Sequence, residues 1–423
     1  MSQLHTVGTG NGNSLRKFQN YIDMRKVFLL LALLYGISPA AQNIQWRGEN
    51  RTGVYNEQGL LKSWPADGPK LLWHYDGLDE GHSSPAVSDN KIYITGLTNK
   101  KGYLYVFDRE GKLLNKKEYG SEWDESYNGS RGTVTVNDGK IYVISGTGFV
   151  TCFDQKSLEK IWQKDYLKEF KSKNIKWGIN ESPLIVDEKL IITPGGTEHN
   201  VVALDKNTGK PIWSSKGAGD LSAYCSPLYI GDQQTPQIVT MTADHIVGID
   251  ASNGNTLWKY ENKNRWSVHA NTPIYSDNMI FCTSGYGQGS TMLRLTDGGR
   301  SVEPAWKSKE LDSRIGAMVK VGNFIYGSGD NNKYWFCADW KTGEIKYRDK
   351  SLAIGCVVAA DGMLYCYSEK GEMALVKINP DKFDLVSKFK ITLGTEQHWA
   401  HPVINNGVMY IRHGNTLMAY KVK

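Results

Sequence analysis

The sequence lacks the marks of a nucleic-acid or membrane protein. Its 423 residues carry a formal net charge of only +6, and residues 1–41 hold +3 of that through Arg16, Lys17, Arg25 and Lys26 against Asp23. The remainder bears no basic run, which excludes a nucleic-acid partner. The longest purely apolar stretch, Val27 to Leu34, is far short of the roughly 18 residues that a membrane span needs. None of the six cysteines stands in C-x-x-C or C-x-x-C-H, so a zinc site or covalent haem has no basis. Cys152, Cys225, Cys282, Cys337, Cys356 and Cys366 are scattered, and those inside apolar strands read as buried thiols. Only Cys356 and Cys366, flanking Asp361-Gly362, leave room for a bridge. Helical periodicity is absent as well. Apolar runs alternate or last 4–8 residues, then break at Gly, Asn or Asp, as strands do.

What is abundant agrees with strands: 44 Gly, 13 Trp and 23 Tyr make a turn-rich, aromatic-rich chain. Met24 to Ala41 has the form of a Sec signal peptide: Arg25 and Lys26, an apolar middle, then Ser38-Pro39-Ala40 as a small-x-small cleavage site. Residues 1–23 show no such logic and read as a leader ahead of the true start at Met24. No cysteine lies near the cleavage site, so no lipid anchor is expected. The mature protein, 42–423, is expected to be one domain, monomeric, and periplasmic or secreted.

A repeat decides the fold. SSPAVSDNKIYI at 83, ESPLIVDEKLII at 181, NTPIYSDNMIFC at 271 and AHPVINNGVMYI at 400 share a small-residue start, a turn and an apolar strand. Weaker copies bring the total to eight. The position held by Pro85 recurs at Val134, Pro183, Pro227, Pro273, Met318, Val357 and Pro402, at spacings of 39–49 residues. Each copy continues into a second hairpin, seen best in ALDKNTGKPIW at 203–213. Four strands per repeat, eight times, predict an all-β, eight-bladed β-propeller of four-stranded antiparallel blades. The last repeat has three strands, and PKLLWHYDG at 69–77 supplies the fourth, so an N-terminal strand closes the ring.

These repeats, with A-x-D-x-x-T-G-x-x-x-W at Ala203 to Trp213, resemble the PQQ-like propellers of the quinoprotein alcohol dehydrogenase-like superfamily. The opening Trp46-Arg47-Gly48 through Arg51 and Gly53 is similar to that of its exported bacterial members, with the assembly factor BamB more distant. The resemblance implies that the repeat tryptophan packs between blades. Trp162, Trp213, Trp258 and Trp306 match that role, and Tyr347 replaces it in the sixth blade.

In a propeller, residues just before the innermost strands line one mouth of the axial channel. Those positions hold His82, Ser83, Arg131, Asn180, Glu181, Tyr224, His269, Asn271, Arg314, His398 and His401, with Trp123, Tyr127, Trp177 and Trp399 in the same loops. Aromatic faces with hydrogen-bonding side chains suit a small polar ligand or carbohydrate, and an Arg pair suits a carboxylate or phosphate. Each residue also has a structural role open to it. His82 can be a turn residue, Glu181 can pair with Arg131, His398 and His401 can anchor the last blade, and Trp177 can simply pack.

Three functions follow. One is an exported propeller that binds such a ligand, or a protein partner, at the mouth, without a required cofactor. A second is a carbohydrate lyase or hydrolase, with His82, Arg131, Tyr224, His269 and His398 as catalytic candidates and Trp177, Glu181, Asn271, Arg314 and His401 as binding residues. The third, implied by the resemblance, is a dehydrogenase using PQQ and Ca²⁺, in which Glu181 and Asn271 would ligate the metal. The chain lacks the adjacent cysteine pair that often covers the quinone in that family, and no other metal site is expected.

Overall fold

The hairpin at 203–213 shows why each repeat folds as it does. In a computed structural model, which describes residues 44–88, 90–315 and 318–423, Val201–Asp205 pairs antiparallel with Pro211–Ser215. Asp205 organises the turn between them. Its Oδ1 accepts hydrogen bonds from the backbone N–H groups of Asn207 and Thr208 and from the Thr208 hydroxyl. Gly209, at φ +70°, then takes a conformation open to glycine. Asp154, Asp250 and Asp339 cap their own turns in the same way. The expected leader and signal peptide lie outside the described residues.

Residues 42–423 form one unit of eight sheets. Seven have four strands in simple antiparallel order, and the sheet containing Gly355–Ala360 has five. Numbered from the strand Ala86–Ser88, blades 1 to 6 are each continuous in the chain, as are the four antiparallel strands of blade 7. Blade 8 takes its outer strand, Leu71–Tyr75, from the N-terminal side, where it pairs with Thr416–Lys421. The ring closes as expected.

Adjacent blades are joined by the repeat itself. The Trp162 indole donates to the Lys206 carbonyl at 3.1 Å and covers Gly209 of the next blade. Trp213 does the same to Ala251 and Gly254, Trp306 to Trp340 and Gly343, and Trp73 to Arg109 and Gly111. Trp258 departs slightly, donating to Gln237 Oε1. Tyr347 replaces the indole in blade 6 and meets Phe383 edge-on. Nearer the axis, hydroxyls link blade to blade. The backbone N–H of His401 donates to Ser84 Oγ, that of Ser84 to Thr133, that of Thr133 to Ser182, and that of Ser182 to Ser226, at 2.9–3.1 Å. From blade 8 round to blade 4, the small-residue start of the repeat is thus an interblade hydrogen bond.

No disulfide joins Cys356 to Cys366, and all six cysteines are free. Cys366 is in register with Val357, so Cys356 projects from the opposite face of the sheet.

The N-terminal segment enters the channel. Ile44 bridges Val136 of blade 2, and Val54–Tyr55 pairs parallel with Ala359 and Ala360, adding an innermost strand to blade 7. Between them, WRGENRTG folds into a knot with positive φ at Arg47, Gly48, Asn50, Arg51 and Gly53. The Trp46 indole donates to Thr272 Oγ1 of blade 5. Arg47 donates to the Met318 carbonyl of blade 6 and Arg51 to the Ser182 and Pro183 carbonyls of blade 3. Gly53 is required because a Cβ there would overlap the Arg47 guanidinium. Burial pulls both arginines below their usual pKa, Arg47 to about 10 and Arg51 to about 9, so they remain cations at neutral pH.

Candidate functional site

At the strand-entry mouth a cavity of about 210 Å³ is floored by Trp46 and walled by His82, Tyr127, Arg131, Trp177, Asn180, Tyr224, Tyr286, Arg314, Trp399 and His401. Nine candidates from the sequence therefore come together there. Ser83, Trp123, Glu181, His269, Asn271 and His398 do not line it, and the backbone explains most of these departures. The entry segments are extended, apart from Tyr224 at φ +70°, so alternate side chains face opposite ways. Asn180 and Ser182 face the cavity while Glu181 turns away. The same parity holds for Tyr224 and Ser226 around Cys225, for Val268 and Ala270 around His269, and for Trp399 and His401 around Ala400.

The residues that turn away serve the fold. Glu181 accepts the Thr193 N–H and is buried, which raises its carboxyl to about 7; the charge nearest it is Arg51, not Arg131. His269 lies between Ser284 Oγ at 2.6 Å and the Ala243 carbonyl at 3.1 Å. Asn271 donates to the Ser313 carbonyl. His398 stacks on His413 at 3.6 Å and meets the Tyr367 hydroxyl at 2.5 Å. Ser83 accepts from Arg412, and Trp123 donates to the Ser126 carbonyl.

Within the cavity the charges are two arginines and no carboxylate. Arg131 donates to the Tyr127 carbonyl at 2.5 Å and makes no ion pair among the described residues. Arg314, by contrast, is neutralised by Glu369 at 2.8 Å and Asp330 at 3.3 Å. His401 is held neutral: its Nδ1 accepts from Arg47 at 2.8 Å, its Nε2–H donates to the Ile315 carbonyl, and burial lowers it to about 3. His82 packs on Trp399 at 5.1 Å and is likewise lowered to about 3 by burial, with Arg131 adding to the shift. Neither of its ring nitrogens has a well-aligned hydrogen-bond partner. The Tyr224 hydroxyl accepts the Trp177 N–H, and burial raises it to about 12.

Trp46 was not among the sequence candidates. The signal for it was the W-R-G-x-x-R-x-G run itself, whose two glycines and two arginines are more than a disordered lead-in needs.

This donor set does not fit a quinone held beside Ca²⁺. That ion takes several carboxylate and carbonyl oxygens. Glu181 and Asn271 point elsewhere, and no cluster of His, Cys, Asp or Glu among the described residues could hold a metal.

Comparison with known proteins defines the class. Residues 150–383 match the family model described as outer membrane protein assembly factor BamB, more than half of the chain. The protein belongs to this PQQ-like propeller family. BamB of Kangiella koreensis is 25% identical over 51% of this chain and 52% of its own length. Quinoprotein ethanol dehydrogenase of Pseudomonas aeruginosa is 27% identical over 55% of this chain and 34% of its own. The chain thus spans about half, or less, of the curated relatives it matches. Among solved structures, BamB from Moraxella catarrhalis superposes with a TM-score of 0.59 at 13% identity, over 84% of this chain and 98% of that one. Quinohemoprotein alcohol dehydrogenase from Comamonas testosteroni gives 0.64 at 12%, over 90% and 80%. Identities this low establish the shared fold alone.

Proposed function

We propose that the protein is an exported binding propeller whose axial cavity takes a small anionic ligand with ring faces, of the acidic-sugar class. One observation carries this. Arg131 and Arg314 enter the cavity ahead of blades 2 and 6, four blades apart in a ring of eight, among aromatic rings and without a lining carboxylate. Arg131 feels the buried Glu122 from outside the cavity but meets no carboxylate within it, so a ligand carboxylate would be its direct partner there, and the aromatic faces suit a sugar ring. Burial in the same cavity favours binding over a lyase. A general base works best with a pKa near the working pH, whereas His82 at about 3 and Tyr224 at about 12 are far from neutrality.

Family membership supports a second reading. Relatives named as outer membrane protein assembly factors suggest a protein partner and a location outside the cytoplasm.

Calorimetric titration with galacturonate and galactose separates the two. Galacturonate is expected to bind and galactose not, and Arg131→Gln should weaken binding about tenfold or more. Equal binding of both sugars, or of neither, overturns the acidic-sugar reading and leaves the protein-partner reading.

A further inference from the structure

One cluster beside the cavity gathers two cations on a single indole, with no carboxylate paired to either among the described residues. Lys176 Nζ sits 4.8 Å from the Trp177 ring centroid and 4.7 Å from that of Trp266. The Arg265 guanidinium lies over the same Trp266 ring at 4.8 Å. Two cations therefore share one indole. Neither forms an ion pair among the described residues, whereas Arg294 and Arg348 each meet a glutamate. The ring quadrupoles offset part of the like-charge repulsion, and an anion is the partner that would remove the rest.

The cluster is also fixed in place. Asn174 accepts the Ile175 N–H and donates to the Gly146 carbonyl, which anchors the loop of Lys176 and Trp177. Asn264 accepts the N–H groups of Trp266 and Val268 and donates to the Val268 carbonyl, which anchors the loop of Arg265. Trp177 stands at the join. It lines the cavity, its ring is 6.2 Å from that of Tyr224 on one side, and 6.2 Å from that of Trp266 on the other. A path of aromatic rings leads from the cavity to this exposed pair of cations.

We infer that Lys176, Arg265 and Trp266 form a second anionic subsite, so that the ligand is an acidic oligosaccharide with one unit in the cavity and the next negative charges on the rim. This rests on the acidic-sugar reading and adds to it the polymeric nature of the ligand. An acidic peptide matches the charge but not the succession of ring faces, so the glycan is favoured.

The test titrates the full protein with galacturonate, its dimer and its tetramer, and with a poly-glutamate peptide of the tetramer's charge. Affinity is expected to rise about tenfold or more from monomer to tetramer. In the double variant Lys176→Gln, Arg265→Gln that gain should vanish while monomer binding persists. Both side chains are exposed, and an unchanged thermal midpoint confirms that the variant folds. Monomer binding without a gain from length overturns this inference alone, as does a gain that survives the double substitution. Absence of all binding overturns the cavity reading too. Equal binding of poly-glutamate assigns the rim to a peptide and overturns the glycan.

Discussion

Gly209 and Gly139 have nearly the same backbone, φ +70° and +71°, yet different surroundings. A Cβ on Gly209 would lie 2.8 Å from the Trp162 ring, whereas one on Gly139 would meet nothing within 4 Å. Gly139→Ala should therefore cost only the left-handed backbone, about 1–2 kcal/mol. Gly209→Ala should cost a further ~1–3 kcal/mol for displacing the indole, and should red-shift its fluorescence. Equal costs in denaturant titration would show that the tryptophan does not depend on the turn it covers. Glu181 supplies a pH effect of known sign. Burial lifts its carboxyl to about 7 in the folded chain, against an ordinary 4.5. The folded state thus holds a proton through that interval and the unfolded state does not. Stability is fullest on the acid side and declines by up to about 3 kcal/mol as the pH rises through 7. Glu181→Gln, which still accepts from Thr193, should flatten this dependence; an unaltered slope would place its source elsewhere.

At the scale of the element, the channel knot is the part with the most at stake. Arg47 and Arg51 are 5% and 2% exposed, so trypsin should not cut after either in the native protein. Gly53→Ala introduces both an unfavourable backbone and an overlap with the Arg47 guanidinium. It should unseat the segment and expose both sites to cleavage, read by mass spectrometry of a brief digest, while blades 2 to 6 stay resistant. Resistance at both arginines would mean that the knot tolerates the overlap. This element also marks the limit of what could be read from the sequence. A blade is a run of local hairpins, so Asp205, Gly209 and Trp213 declare it within eleven residues. The entry positions followed from the blades, and only their parity was missed: Glu181, His269 and Asn271 sit one residue out of phase with neighbours that line the cavity. The knot depends on partners 131 and 354 residues away, Ser182 for Arg51 and His401 for Arg47. No local pattern states such pairings, which is why only the folded chain places Trp46 in the cavity.

At the scale of the whole molecule, one joint differs from the rest. Trp162 and Trp73 make the same contact, an indole N–H to a carbonyl and a ring over a glycine of the next blade. Trp162 joins blades that are neighbours in sequence. Trp73's own contact is as local in sequence, but it lies on the strand 71–75, which pairs with 417–420 and holds the two ends of the ring together. Contacts between chain ends carry the largest loop-closure entropy and form late. Interactions absent from the folding transition state act on the unfolding rate rather than on the folding rate. Both Trp→Ala variants should lose similar equilibrium stability, about 2–4 kcal/mol for half-buried indoles. They should divide it differently: Trp73→Ala mainly speeds unfolding, while Trp162→Ala also slows refolding. Stopped-flow denaturant jumps measure both arms. If the two variants divide their loss alike, the closing strand is no later than any other, and the ring assembles without a defined seam.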